Sequence, residues 1–578
     1  MIGNGTLRRL LAGRAQGGGI SAGGEGVLPS LPPLAPALYR RREAFLAAAL
    51  AVASAELLRL AVPVGIDTAA QLYQTGRFLH SGFQFWDNYW YDGRYTFVDY
   101  SLLYFPIASL IGEVPTVMAT LAASGYLFAR LVAGRFGVSG RWPVRAFACC
   151  AGIVVWISGE YPFALGMALG LAALSLRNHR KLPLAGLAAL ASLLASPLAF
   201  LLLAVTVVGI AFGAGQIRRL LRPDVLIGLA LCAVAGGVMQ LAFPIPGAFH
   251  YSGWALFQVL ALAAIAFAAS WRLKGVGMIR GLFAAMALTA IASFVVESPL
   301  GGNATRLADY VAGPLILILL SRQLKEGRIG RRVAGVVGAV ALCGQLAPNL
   351  VTASLVLSVK AAEPVFWRGA IAFLRAHYNP NYRVEAVDTS GHWEAYYLPA
   401  AGIPIVRGWF RQDDFPDNAI LYRKRIAPGE YRDWLRRSAV DYVVLPHTTL
   451  DYSSKAEAAL LASGRSGLRV VYTNPFTTIY ELPHPSPLLI PPAGAQAGVI
   501  HFGHASLELY ASRPGDYRLA INYTPYWHSE PAGAACITED GQPGLSTLIV
   551  YRPGTVWLRF DPTIPQLFSS RPASCPLP

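Results

Sequence analysis

Apolar and polar positions divide the chain in two. From Ala44 to Leu350, long runs of Ala, Leu, Val and Gly are separated by short connectors rich in arginine and lysine. Runs near 20 apolar residues have the length of a bilayer-crossing helix. They predict spans at about 44–62, 115–132, 146–158, 161–176, 183–196, 197–214, 224–242, 254–270, 281–297, 311–321 and 332–350, so about 11 transmembrane helices. The apolar text between Lys181 and Arg218 is too long for one span. Ser196-Pro197 predicts a hairpin or a broken helix there. Ser101–Ile111 is shorter and reads as interfacial or re-entrant.

Beyond about residue 360 the pattern mixes helix and strand. Glu430–Arg437 precedes the buried-strand text Val440-Asp-Tyr-Val-Val-Leu, and Val470–Tyr472 and Thr478–Leu482 read as further strands. The Pro-rich stretch Pro483–Pro492 reads as a linker. From about 498, the segments SLELYA, YRLAINY, STLIVY and TVWLRF alternate with Gly and Pro turns and predict a small β-sandwich. The expected organisation is a disordered basic tail at 1–43, then a polytopic α-helical membrane domain at 44–350 with a large loop at 63–100. An exported mixed α/β domain at 351–492 and an exported β-sandwich at 493–578 follow.

Composition supports the membrane reading. Only 14% of the 578 residues are charged and 54% are hydrophobic, where a soluble protein has about a quarter charged. The net charge of +16 does not imply nucleic acid, because the basic residues sit in short loops between spans. They crowd one set of loops, such as Arg8–Arg42, Arg130–Arg145, Arg218–Arg222 and Arg272–Arg280. The opposite loops hold Arg77, Arg94 and Arg306. This asymmetry places the N-terminus in the cytoplasm of a multi-pass plasma-membrane protein, with the 63–100 loop and everything after Pro348 outside. Cys149, Cys150, Cys232 and Cys343 lie in apolar spans as buried small residues. Cys536 and Cys575, alone in the exported part, are the expected disulfide pair.

The chemistry concentrates in the first outer loop, Val64–Pro106, which carries Asp67, Asp87, Asp92 and Asp99 among dense aromatics. Asp67 follows the first span directly. It reads either as the N-cap of the helix starting near Thr68 or as a carboxylate facing a substrate at the membrane surface. Trp86, Trp90, Asp87, Asp92 and Arg94 read as substrate-binding candidates, although aromatics at this depth also belt the interface. One of these acids could join a divalent metal ion, but the spacing defines no metal site. Arg306 and Asn303, on the last outer loop, could meet an anionic group; otherwise Arg306 pairs with Asp309 or Glu297. Glu160, in SGEYPF, and His250 read as ordinary loop residues. Tyr523, Tyr526 and Trp527 read as sandwich core or as a carbohydrate platform. The chain has no GxGxxG, Walker, HExxH or paired CxxC motif, which disfavours a cytoplasmic nucleotide-driven enzyme.

A first span, then Gly65-Ile-Asp67, a short amphipathic helix, a G…W…Y…G stretch and an aromatic-Pro segment resemble integral-membrane glycosyltransferases of the C-type fold (GT-C). HWEAYYLP, GWFRQDDFP and VDYVVLP look like segments of the outer domain of such proteins. Many related sequences carry His four residues after the acid, where this chain has Gln71. The resemblance implies a polyprenyl-phosphate-linked sugar donor and a glycan or glycolipid acceptor at the outer face of the bilayer. It also implies inversion at the anomeric centre, with Asp67 as general base and Arg306 and Asn303 at the donor phosphate. The competing readings are a transporter, which would place ionisable residues mid-bilayer, and a non-catalytic envelope glycan-binding protein.

Overall fold

The computed structural model describes residues 35–62, 64–136, 140–244, 247–356, 360–542 and 544–568. Most of the expected 1–43 tail lies outside them. Its last part is helical, because Ala35–Arg42 continue into the first helix without a glycine or proline break after Pro36. The membrane part comprises α1 (Ala35–Ala61), α2 (Thr68–Ser81), the short strands β1 (Trp86–Asp87) and β2 (Arg94–Tyr95), α3 (Tyr104–Ile111), α4 (Glu113–Phe136), α5 (Arg141–Ser158), α6 (Tyr161–Asn178) and α7 (Leu182–Ala195). After these come α8 (Pro197–Gly213), α9 (Pro223–Ala242), α10 (Gly253–Ala269), α11 (Gly277–Val295), α12 (Arg306–Lys325) and α13 (Arg331–Val356).

A helix forms at each of the eleven positions expected to span. Among the described residues, six helices are long and apolar enough to cross a membrane, and α7, α8 and α10 are apolar but shorter. Proline and serine set the α7–α8 break. Pro197 cannot continue α7, and the Ser196 hydroxyl accepts from Ala199 N at 3.3 Å to cap α8. Glycine allows α8 and α11 to touch: a Cβ on Gly213 would stand 2.0 Å from the Gly277 carbonyl oxygen.

The α/β domain comprises α14 (Pro364–Ala376), β3 (Arg383–Ala386), α15 (Glu394–Ala400), α16 (Arg411–Asp417), α17 (Pro428–Arg437), β4 (Val440–Pro446), α18 (Lys455–Ala462), β5 (Arg469–Thr473) and β6 (Thr477–Glu481). Its sheet has the order β3-β4-β6-β5, with β3 parallel to β4 and the other pairs antiparallel. β4, the expected buried strand, has Val440, Val443 and Val444 fully buried.

The sandwich comprises β7 (Leu489–Ile490), β8 (Ala497–Phe502), β9 (Ser506–Ala511), β10 (Gly515–Leu519), β11 (Trp527–Glu530), β12 (Ala535–Glu539), β13 (Ser546–Val550) and β14 (Gly554–Phe560). It has two sheets, β12-β13-β10-β7 and β11-β14-β9-β8. The Pro-rich stretch expected as a linker supplies β7, which pairs with β10 and buries Leu488 and Leu489 in the sandwich core. Tyr526 and Trp527 are buried rather than open to a glycan: the Tyr526 hydroxyl donates to the Ala242 carbonyl at 2.6 Å, at the end of α9. Cys536 is disulfide-bonded. Cys575, its expected partner, lies outside the described residues.

Candidate active site

Two turns, at Gly65–Asp67 and Ser158–Glu160, are locked together by their backbones. Ile66 N donates to the Ile157 carbonyl at 3.0 Å, and Asp67 N to the Ser158 carbonyl at 2.9 Å. The approach needs glycine on both sides. A Cβ on Gly65 would lie 2.4 Å from the Trp156 carbonyl oxygen, and one on Gly159, at φ +74°, would lie 2.9 Å from Asp67 N. The Thr68 hydroxyl accepts from Gly65 N at 2.9 Å and contacts the Tyr161 hydroxyl at 3.1 Å. Asp67 is thereby fixed beside the turn that carries Glu160.

Asp67 occupies the N-cap position of α2, yet its side chain makes no capping hydrogen bond. The backbone position is that of a cap, but the carboxylate accepts from Trp409 instead. Half-buried in surface terms but closely surrounded by protein, it is pushed up to about 8. Burial is the main cause and the neighbouring Glu160 carboxylate the next, while Arg306, a hydrogen bond from Trp409, and Arg411 pull the other way. Burial also raises the Glu160 carboxyl, against Arg306.

Arg306 begins α12. Its guanidinium pairs with Glu160 at 3.1 Å and stands 5.2 Å from the Phe163 ring centroid. The counter-ion is therefore Glu160 and not Asp309 or Glu297. Asn303 lies in the short helical turn before it, where its carbonyl accepts from Arg306 N and sets the start of α12. Gln71, at the position of the histidine of related sequences, donates to the Tyr100 hydroxyl at 2.9 Å. The Tyr100 ring packs 5.6 Å from Trp409. Arg306 and Tyr310 also line a cavity of ≈ 1510 Å³ whose walls include Phe163, Leu202 and Leu282 and whose far end carries Arg177 and Arg222.

The other loop candidates lie elsewhere. Trp86, Asp87, Trp90, Asp92 and Arg94 are all buried. They bind the loop to the domains above it. Asp87 pairs with Arg77 at 2.7 Å and with His504 of the sandwich at 2.9 Å, and accepts from the Tyr73 hydroxyl at 2.8 Å. Burial alone would raise its carboxyl, but Arg77 and His504 hold it well below the usual range. Trp86 stacks on Phe560 at 5.6 Å, and Trp90 Nε1 donates to the Ala395 carbonyl at 3.0 Å. Asp92 pairs with Arg383 at 3.0 Å; Arg94 pairs with Asp99 and, at 2.6 Å, with Asp413. A buried charge is tolerated when it is paired, and this loop supplies the pairs. His250 is exposed.

Glu160, read from the sequence as an ordinary loop residue, pairs with Arg306 beside Asp67. Its sequence signal is its place as the one acid in the short turn between α5 and α6, flanked by Gly159 and Tyr161-Pro162.

No family model matches the chain, and no curated protein matches it. Among solved structures it is similar to the arabinofuranosyltransferase AftD from Mycobacteria, with 18% identity and a TM-score of 0.47, over 76% of this chain and 40% of that one. It is also similar to the oligosaccharyltransferase of Archaeoglobus fulgidus in its apo form, with 12% identity and a TM-score of 0.40, over 71% of this chain and 69% of that one. The same archaeal protein, AglB, in complex with an inhibitory peptide and a dolichol-phosphate gives 12% identity and a TM-score of 0.32, over 72% of this chain and 70% of that one. The chain spans about two fifths of the length of the mycobacterial protein. At these identities and scores the likenesses assign no function by themselves.

Proposed function

We propose that this protein is a membrane glycosyltransferase that moves a sugar from a polyprenyl-phosphate donor to an envelope glycan or glycolipid on the outer face of the plasma membrane. The observation that carries the reading is the cluster of Asp67, Glu160 and Arg306, the last of which also lines a large cavity between the helices. A lipid-linked sugar phosphate requires a cation for its phosphate, an apolar path for its chain and a base for the incoming hydroxyl. Arg306, the cavity it lines and the Asp67 carboxylate would supply them.

In this mechanism the Asp67 carboxylate accepts the proton of the acceptor hydroxyl as that oxygen attacks the anomeric carbon. The carbon–oxygen bond to the phosphate breaks on the opposite face, which inverts the centre. The polyprenyl phosphate leaves with its added charge against Arg306. Glu160 orients Arg306 and raises the basicity of Asp67. Asn303 holds the turn that starts α12. The N-terminus is cytoplasmic, and the α/β domain and the sandwich are outside. Purified full-length protein in nanodiscs, given a polyprenyl-phosphate sugar and a matching glycan acceptor, should release polyprenyl phosphate and extend the acceptor. Transfer from a nucleotide-sugar alone, with none from the lipid-linked donor, would overturn the proposal.

A further inference from the structure

A second group of ionisable side chains lies in the α/β domain, in the turn Thr389-Ser-Gly-His-Trp-Glu394 between β3 and α15. Among the described residues it is the one set of three whose side-chain ligand atoms, from Asp388, His392 and Glu394, lie within 4.8 Å of one another. All three residues are more than nine-tenths buried. His392 Nδ1, Asp388 Oδ1 and Glu394 Oε1 have no hydrogen-bond partner among the described residues. Their other atoms are fully used. Glu394 Oε2 accepts from Thr389 N at 3.1 Å and from the Thr389 hydroxyl at 2.7 Å, and Asp388 Oδ2 pairs with Arg407 at 2.5 Å.

The spacing is informative. His392 Nδ1 stands 3.5 Å from Glu394 Oε1 without a hydrogen bond between them. Ligands held about 2.1 Å from a tetrahedral zinc ion are roughly 3.4 Å apart. The surroundings are crowded with acidic side chains. Glu385, Asp388, Glu394, Asp414, Asp451 and Glu457 share a buried region with Arg407 and Arg411. Both oxygens of Glu385 are unpartnered. Buried polar atoms without partners are costly, and a divalent cation would satisfy those of Asp388, His392 and Glu394.

We propose that Asp388, His392 and Glu394 form a divalent-cation site of the zinc class. One imidazole nitrogen and two carboxylate oxygens are ligands suited to zinc. The site shares no residue with the Asp67 site. It would fix the turn that launches α15. An ion on Nδ1 would leave the ring proton on Nε2, the atom to which Arg411 donates at 3.2 Å. Loading therefore turns Arg411 away from the imidazole, while its pairing with Asp451 at 2.5 Å and its bond to Ser453 at 3.1 Å remain.

The test is metal content, which is independent of the glycosyltransferase reading. Full-length protein is stripped with chelator, reloaded with zinc sulfate, desalted and assayed by elemental mass spectrometry, with melting temperature read in parallel. Wild type should retain about one zinc per chain, the composition of a single three-residue site, and melt at a higher temperature when loaded. His392→Gln with Glu394→Gln should lose both the zinc and the shift; Asp67→Asn should keep both. If the double variant does not fold, the cobalt(II)-loaded wild type decides, because tetrahedral ligation gives strong visible absorption bands. A wild type that holds no zinc and shows no melting shift would overturn the proposal. So would zinc that stays in the folded double variant, zinc lost in Asp67→Asn, or a cobalt protein without those bands.

Discussion

If Asp67 is the base, its protonation sets the pH dependence of transfer. A carboxyl near 8 is about one-tenth ionised at pH 7, half ionised at pH 8 and nine-tenths ionised at pH 9. The rate constant kcat/KM should therefore rise roughly tenfold from pH 7 to pH 9 and then level off, since the base must be deprotonated to act. Glu160→Gln removes the nearest like charge and frees Arg306 to act on Asp67. Both changes favour the ionised form. The rising limb should move toward lower pH, so that the variant gains on wild type at pH 6–7 if donor binding is held saturating. The assay is initial-rate transfer in nanodiscs with a fluorescent acceptor across pH 5.5–9.5. A flat wild-type profile, or a Glu160→Gln limb displaced toward higher pH, would refute the assignment of the base and its neighbour.

Other expectations follow from the same geometry. Arg306→Ala should raise KM for the lipid donor by about tenfold or more, the scale of one lost charge-assisted contact, with a smaller change for the acceptor, measured by varying each substrate in turn. Asp87→Ala strands Arg77 in a buried site and cuts the tie to His504, so it should lower stability by about 3–5 kcal/mol, read as a lower denaturant midpoint. A cysteine placed at Leu220 should resist membrane-impermeant labelling from outside intact cells; ready labelling would reverse the orientation.

Much of the architecture is legible in the sequence because it rests on local pattern. Apolar run length places the helices, the Ser196-Pro197 pair places the break, and period-two alternation places β9, β10, β13 and β14. β7 was missed because two residues between prolines carry no period; β10 recruits them through a pairing distant in sequence. At the site, Asp67 is legible from its place after the first span. The role of its neighbours is not, since Asp87, Asp92 and Arg94 share its composition and differ in their long-range partners: His504, Arg383 and Asp413. Glu160 reaches Asp67 only through backbone bonds between turns some 90 residues apart.

The most direct test of the central claim is single-turnover transfer by Asp67→Asn at pH 8.5. Asparagine keeps the size and can still occupy the N-cap position, but it cannot take a proton. Transfer should fall by about a hundred- to ten-thousand-fold, with the lipid-linked donor still bound at near wild-type affinity. Transfer at the wild-type rate would contradict the account.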